Sequence, residues 1–79
     1  MRYSLETKLS VETVRKEALA FFRDRLGLKV TNDGENSLCL EGGGGYVTIT
    51  VCPGDRTSVE IQTQEWDNVV PDFLAKIRK

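Results

Sequence analysis

Histidine is absent from this 79-residue chain. That gap removes the commonest general base, every Ser–His or Cys–His pairing, and most zinc sites. Cysteine is scarce, at two residues, and Cys39 and Cys52 do not form a Cys-x-x-Cys pair. The opening M-R-Y-S-L-E-T-K has no apolar core, so it does not read as a secretory leader. Two cysteines without a leader point to a reducing, cytoplasmic location. No run approaches the ~18 apolar residues of a membrane helix. An excess of one charge is missing too: eleven Lys and Arg against twelve Asp and Glu leave a net charge of −1. That balance does not draw the chain to nucleic acid or to an anionic membrane.

What remains is ordinary globular composition, 39% hydrophobic and 29% charged, at a length that supports one small α+β domain over residues 1–79. A chain this short buries only about 60% of the surface it exposes unfolded, so its core is marginal.

Arg2 to Leu9 alternates, with Tyr3, Leu5, Thr7 and Leu9 on one side, as in a half-buried strand. Ser10 then caps a helix, with Glu12 at the positive end of its dipole. Val14, Ala18, Phe21, Phe22 and Leu26 form its apolar stripe, and Arg15, Lys16, Glu17, Arg23 and Asp24 fall mostly on the solvent side. Gly27 stops the helix, and Leu28 supplies the contact that accompanies such a stop. Short strands follow at 28–31 and 37–41, joined by a turn at Asn32–Glu35. Tyr46 to Cys52 alternates again, and a Cys-Pro-Gly-Asp turn leads to a last strand at 57–64. Asp67 or Asn68 caps a second helix, with Pro71 in its first turn and Val70, Phe73, Leu74 and Ile77 as its stripe.

Four consecutive glycines, Gly42–Gly45, resemble a phosphate cradle. A phosphate loop feeds a helix N-terminus and is usually followed by Lys and Ser or Thr. These glycines feed a strand, and no Lys follows, so they read as a hairpin turn. Closing it pairs Leu40 with Val47 and Leu38 with Ile49, which keeps the inward sets together. By the same logic Ile49 is expected opposite Val59 and Val47 opposite Ile61.

The resulting order is β-α-β-β-β-β-α. It predicts a five-stranded antiparallel sheet, order 1-5-4-3-2, with both helices on one face. This order resembles one repeat of the TATA-box-binding-protein fold and also a shortened helix-grip fold, the scaffold of lipid-transfer and polyketide-cyclase proteins. The resemblance is topological. It carries over no residues, and fold alone does not confer function.

The face away from the helices carries three acidic residues, Glu6, Glu41 and Glu60, against three basic ones, Arg2, Lys8 and Lys29. Duplex DNA needs a cationic excess, and single strands need more aromatics than Tyr46 alone. Cys39, Tyr46, Thr48 and Thr50 cluster at the centre of this face as a candidate contact patch. In the expected register Cys52 lies roughly 13 Å along the strand from the position facing Cys39, beyond the ~7 Å that a disulfide spans, so two free thiols are expected. Asp33, Glu35 and Asp55 lie in turns without calcium-loop spacing. Glu41 and Glu60 share a face as solvated carboxylates, and Trp66 reads as core filler. The sequence therefore predicts a non-catalytic module with no metal and no cofactor. Its open sheet face or an edge strand meets a protein partner or a second copy of the chain, and neither nucleic acid nor membrane is expected. The alternative is a carrier for a small apolar ligand, held between helix and sheet by Phe21, Phe22, Leu38 and Val47.

Overall fold

The computed structural model describes residues 2–78. Its elements are β1 (Arg2–Thr7), α1 (Val11–Ala18) continuing as a π-helical segment (Leu19–Arg25), β2 (Lys29–Asp33), β3 (Ser37–Gly42), β4 (Gly45–Cys52), β5 (Thr57–Gln64) and α2 (Val70–Ile77). The five strands form one sheet in the order β1-β5-β4-β3-β2, every pairing antiparallel. The inward residues of β3, β4 and β5 and the stripes of both helices join one buried cluster. Both helices therefore cover the same face, and the other face stays open.

The glycines make a turn. Gly42 pairs with Gly45, and Gly43 and Gly44 between them have φ of +60° and +84°. Two positive φ values in a two-residue loop match the twist of the flanking strands. Gly45 has a second role: a Cβ there would lie 2.1 Å from the Gln64 carbonyl oxygen. Trp66 closes the turn from below, its Nε1–H donating to the Gly42 carbonyl at 2.9 Å.

The β3–β4 register holds Leu40 opposite Val47 and Leu38 opposite Ile49, as expected. The β4–β5 register differs from expectation by two residues: Val51 faces Val59, Ile49 faces Ile61, and Val47 faces Thr63. The expected register would have set Val51 against Thr57. A wider loop over Pro53–Arg56 matches aliphatic to aliphatic instead. It also lets the buried Thr57 and Thr63 hydroxyls donate to the Leu9 carbonyl at 2.6 Å and the Tyr46 carbonyl at 2.9 Å.

Three boundaries also move. β1 ends at Thr7 because the Thr7 hydroxyl, fully buried, donates to the Ile77 carbonyl at 2.5 Å and accepts the Leu9 N–H at 3.2 Å, bending the chain. β2 runs on to Asp33 through a bulge between Val30 and Asn32, so Asn32 opposes Cys39 and the turn shifts to Gly34–Asn36. α2 starts at Val70 with Val69 at its N-cap position and no side-chain cap. A turn over 67–69 precedes it, held where the Tyr3 hydroxyl donates to the Asp67 carbonyl at 3.4 Å.

The Ser10 cap is present, its side chain accepting the Thr13 N–H at 3.2 Å. Beyond Ala18 the helix widens to π geometry. Phe21 and Phe22 are adjacent in sequence, yet both are buried. Adjacent positions can share a broad apolar stripe, and each ring packs against Phe73 of α2, at centroid distances of 5.7 and 5.1 Å. Gly27, at φ +79°, ends the segment, and the Leu28 N–H returns to the Phe22 carbonyl at 2.9 Å.

Arg15 is not the solvent-side residue expected. Its guanidinium ion-pairs with Asp33 and donates to the Gly34 carbonyl at 2.8 Å, tying the β2–β3 turn to α1. Arg15→Ala is expected to lower stability by about 1–2 kcal/mol, with Arg15→Lys recovering little because an ammonium cannot fork to both acceptors. Chemical denaturation measures both. In the same assay Gly45→Ala is expected to cost about 1–3 kcal/mol by forced backbone displacement. Gly44→Asn, where a Cβ meets nothing within 4 Å, should cost less than about 1 kcal/mol.

Candidate functional site: the open sheet face

The helices leave one side of the sheet to solvent, and its side chains line up in rows across the strands. One row runs Asn32, Cys39, Thr48, Gln62, Arg2. The next runs Ser37, Thr50, Glu60, Ser4, and on the other side lies Lys29, Glu41, Tyr46, Gln64. The four residues singled out in the sequence, Cys39, Tyr46, Thr48 and Thr50, all fall on this face, and all are half-buried by their neighbours. Cys39 stands directly opposite Thr48. The two-residue shift of β5 leaves its face unchanged, because an even shift preserves the side on which a residue points. Thr31 is the extra residue of the β2 bulge, its hydroxyl donating to the Cys39 carbonyl at 3.4 Å.

Charge flanks the uncharged patch: Lys29 and Arg2 end their rows, and Glu41 and Glu60 stand within theirs, opposite Tyr46 and Thr50. Lys29 opposes Glu41, and Arg2 ion-pairs with Glu60 at 3.3 Å, both side chains more than half exposed. Such an exposed pair adds little stability. Glu41 and Glu60 lie in different rows, with Glu60 engaged by Arg2, so the structure does not bring them together as an acid pair. The centre, in contrast, holds hydroxyl, amide, thiol and phenol groups only. These groups can donate and accept hydrogen bonds without a charge to desolvate.

Beside the patch lies an open groove of about 430 Å³, lined by Ser4, Glu6, Thr50, Cys52, Ser58 and Glu60 with Leu5 and Val59 at its floor. Sequence reasoning missed it. It spans β1, β5 and β4, so it depends on the β4–β5 register, which differs from the expected one. A second, smaller groove lies on the helix layer, between Phe21, Arg25 and Lys76. The residues expected to enclose an apolar ligand are packed against one another: Phe21 and Phe22 meet edge to face at 5.0 Å, and Leu38 and Val47 share their cluster.

Among the described residues no group of three or more His, Cys, Asp or Glu is placed to hold a metal. No helix of the described residues is long and apolar enough to cross a membrane. Arg23 holds its proton more tightly than usual through its hydrogen bond to Asp24, at an exposed helix position away from this face.

Cys39 and Cys52 are both free thiols, Cys39 half-buried and Cys52 exposed. Titration with an aromatic disulfide reagent is expected to count two thiols in the unfolded protein and, in the folded protein, a fast phase at Cys52 before a slower one at Cys39. A Cys52→Ser variant that retains the fast phase would contradict this order. No protein-family model matches the chain, and no curated protein matches it in sequence.

Proposed function

We propose that this chain is a non-catalytic protein-binding module that presents its open sheet face to a partner. One observation carries the reading: Cys39, Tyr46, Thr48 and Thr50 form an uncharged patch at the centre of that face, with Glu41 and Glu60 beside it, opposite Tyr46 and Thr50, and Lys29 and Arg2 at the ends of the rows. Protein interfaces follow this plan, with charge depleted and tyrosine enriched at the core and a polar rim around it. A flat, mildly polar face on a rigid sheet is also suited to a preformed contact, since little side-chain freedom is lost when β-branched threonines are covered.

The absence of histidine argues against the commonest catalytic pairings. The topological resemblance to a TATA-box-binding repeat brings no nucleic-acid role with it, because the face lacks the cationic excess that phosphate contacts require. The small-ligand alternative has one point in its favour, the groove beside the patch. Its volume of about 430 Å³ falls within the usual range for ligand sites, although it opens on the sheet face and not under the helix.

Replacing Tyr46 and Thr48 together by Glu sets two charges in the uncharged centre without touching the core. With immobilised wild-type protein as bait, a partner from the native cells is expected to be retained. With Tyr46→Glu/Thr48→Glu as bait it should be lost, a weakening of about 2 kcal/mol or more if the patch is the heart of the contact. Equal retention by both baits, with circular dichroism showing both folded, would sink the reading.

A further inference from the structure

The two edges of the sheet are finished differently. β2 is interrupted by a bulge and carries Lys29, both devices that discourage pairing with another chain. β1 runs from Arg2 to Thr7 in unbroken register with β5, without proline or bulge.

The direction of the β1 backbone groups follows from the rest of the sheet. The Val51 N–H donates to the Asn36 carbonyl at 2.8 Å, so the odd residues of β4 face β3. In an antiparallel ladder the hydrogen-bonding direction alternates along each strand. The even residues of β4 therefore bond the even residues of β5, and the odd residues of β5 bond Tyr3, Leu5 and Thr7. That leaves the N–H and C=O groups of Arg2, Ser4 and Glu6 pointing away from the sheet. Among the described residues, no contact outside the ladder engages them.

We propose that β1 pairs with β1 of a second copy of the chain, antiparallel and centred on Ser4, joining two sheets into one. This goes beyond the open-face reading and stands independently of it. The register is selected by charge. Centred on Ser4, Arg2 lies opposite the partner's Glu6, Glu6 opposite the partner's Arg2, and Ser4 opposite its own copy. All three outward residues then form hydrogen-bonded pairs, in the self-complementary pattern that a two-fold interface demands. A slip by two in one direction sets Arg2 against Lys8, like against like. A slip by two in the other leaves Glu6 without a charged partner. A slip by one opposes outward-facing groups to inward-facing ones and exchanges the two faces.

The helix side of the strand agrees with this register. Tyr3 and Leu5 pack against the core but are only half-buried, because the sheet ends there. In the pair, Tyr3 meets the partner's Leu5 and Leu5 the partner's Tyr3, an aromatic–aliphatic cross-strand contact on each side of the axis. On the open side the partner's Arg2 comes to stand beside Glu6 at the rim of the groove.

An edge pairing buries less than the ~1,200 Å² of a standard interface, so association in the micromolar range is expected, and the test is made at about 100 μM. Native mass spectrometry and sedimentation are expected to show a wild-type dimer that dissociates on dilution. Arg2→Glu alone and Glu6→Arg alone should each weaken it at least tenfold. The two single variants mixed together should form a heterodimer, since every cross-strand pair is then complementary, and the double variant Arg2→Glu/Glu6→Arg should dimerise again. Ser4→Pro removes an outward N–H without removing a β1–β5 bond and should also give a monomer, with circular dichroism confirming the fold. The proposal is overturned by a wild-type monomer at this concentration, or by single charge variants that dimerise as well as wild type. It is overturned equally if Tyr46→Glu/Thr48→Glu abolishes the dimer while the charge variants keep it, which would move the self-contact to the open face and leave the binding reading intact.

Discussion

The two-residue turn at Gly43 and Gly44 is the constraint on which the sheet depends. Because it closes on Gly42 and Gly45, it decides which residues of β3 and β4 bond each other and which turn their backbone groups the other way. That alternation passes from β4 to β5 and from β5 to β1. A one-residue change in the turn would send one of the two sets, Leu38 and Leu40 or Val47 and Ile49, to the solvent side. The φ values of +60° and +84° are therefore the local cause of a global assignment of faces. Trp66, reaching under the turn to the Gly42 carbonyl, anchors it to the end of β5.

The second organising contact is aromatic. Phe21 and Phe22 on the first helix and Phe73 on the second meet within 6 Å of one another, on a stretch where the first helix has π geometry. Widening a helix by a π turn weakens its regular hydrogen bonding. Here burial of two large rings outweighs that cost, each worth roughly 1.5–3 kcal/mol when removed from water. The two helices are thus joined to each other as well as to the sheet. They cover one face, leaving Tyr3 and Leu5 half-buried at its β1 edge, and leave the other face open, so the open face and the β1 edge are the surfaces available for recognition.

Much of this was legible in the sequence. Alternation in Arg2–Leu9, Tyr46–Cys52 and Thr57–Gln64 has a period of two and reads directly as strands, and the glycine run reads as a turn because it feeds one of them. The strand order follows from the crossover of the first helix. Cys39, Tyr46, Thr48 and Thr50 share a face despite the two-residue difference at β5, because an even shift cannot change a face. Other features were not legible because their causes lie far away in the chain. The β1 boundary is set by Ile77, the β2 extension by a bulge and by Arg15, and the start of α2 by Tyr3. The π segment packs against Phe73, some fifty residues downstream by numbering, and no local pattern announces it. The groove along β1 needs three strands that are distant in sequence.

The bond from the Thr7 hydroxyl to the Ile77 carbonyl joins residues separated by 70 positions, and among the described residues β1 pairs with β5 alone, on the far side of the meander. During synthesis, residues 2–7 emerge before the other strands of the sheet, yet they have no strand to join until residues 57–64 have left the ribosome. The helix that covers their inner face comes later still. Until then β1 is a bare amphipathic segment with both sides unpaired. Meander and first helix join near neighbours in sequence, whereas the closing step joins the most distant segments and carries the largest loop-closure cost. The strand that ends the sheet in space is thus the first made and the last docked, and in the interval it is the part of the nascent chain most exposed to mispairing.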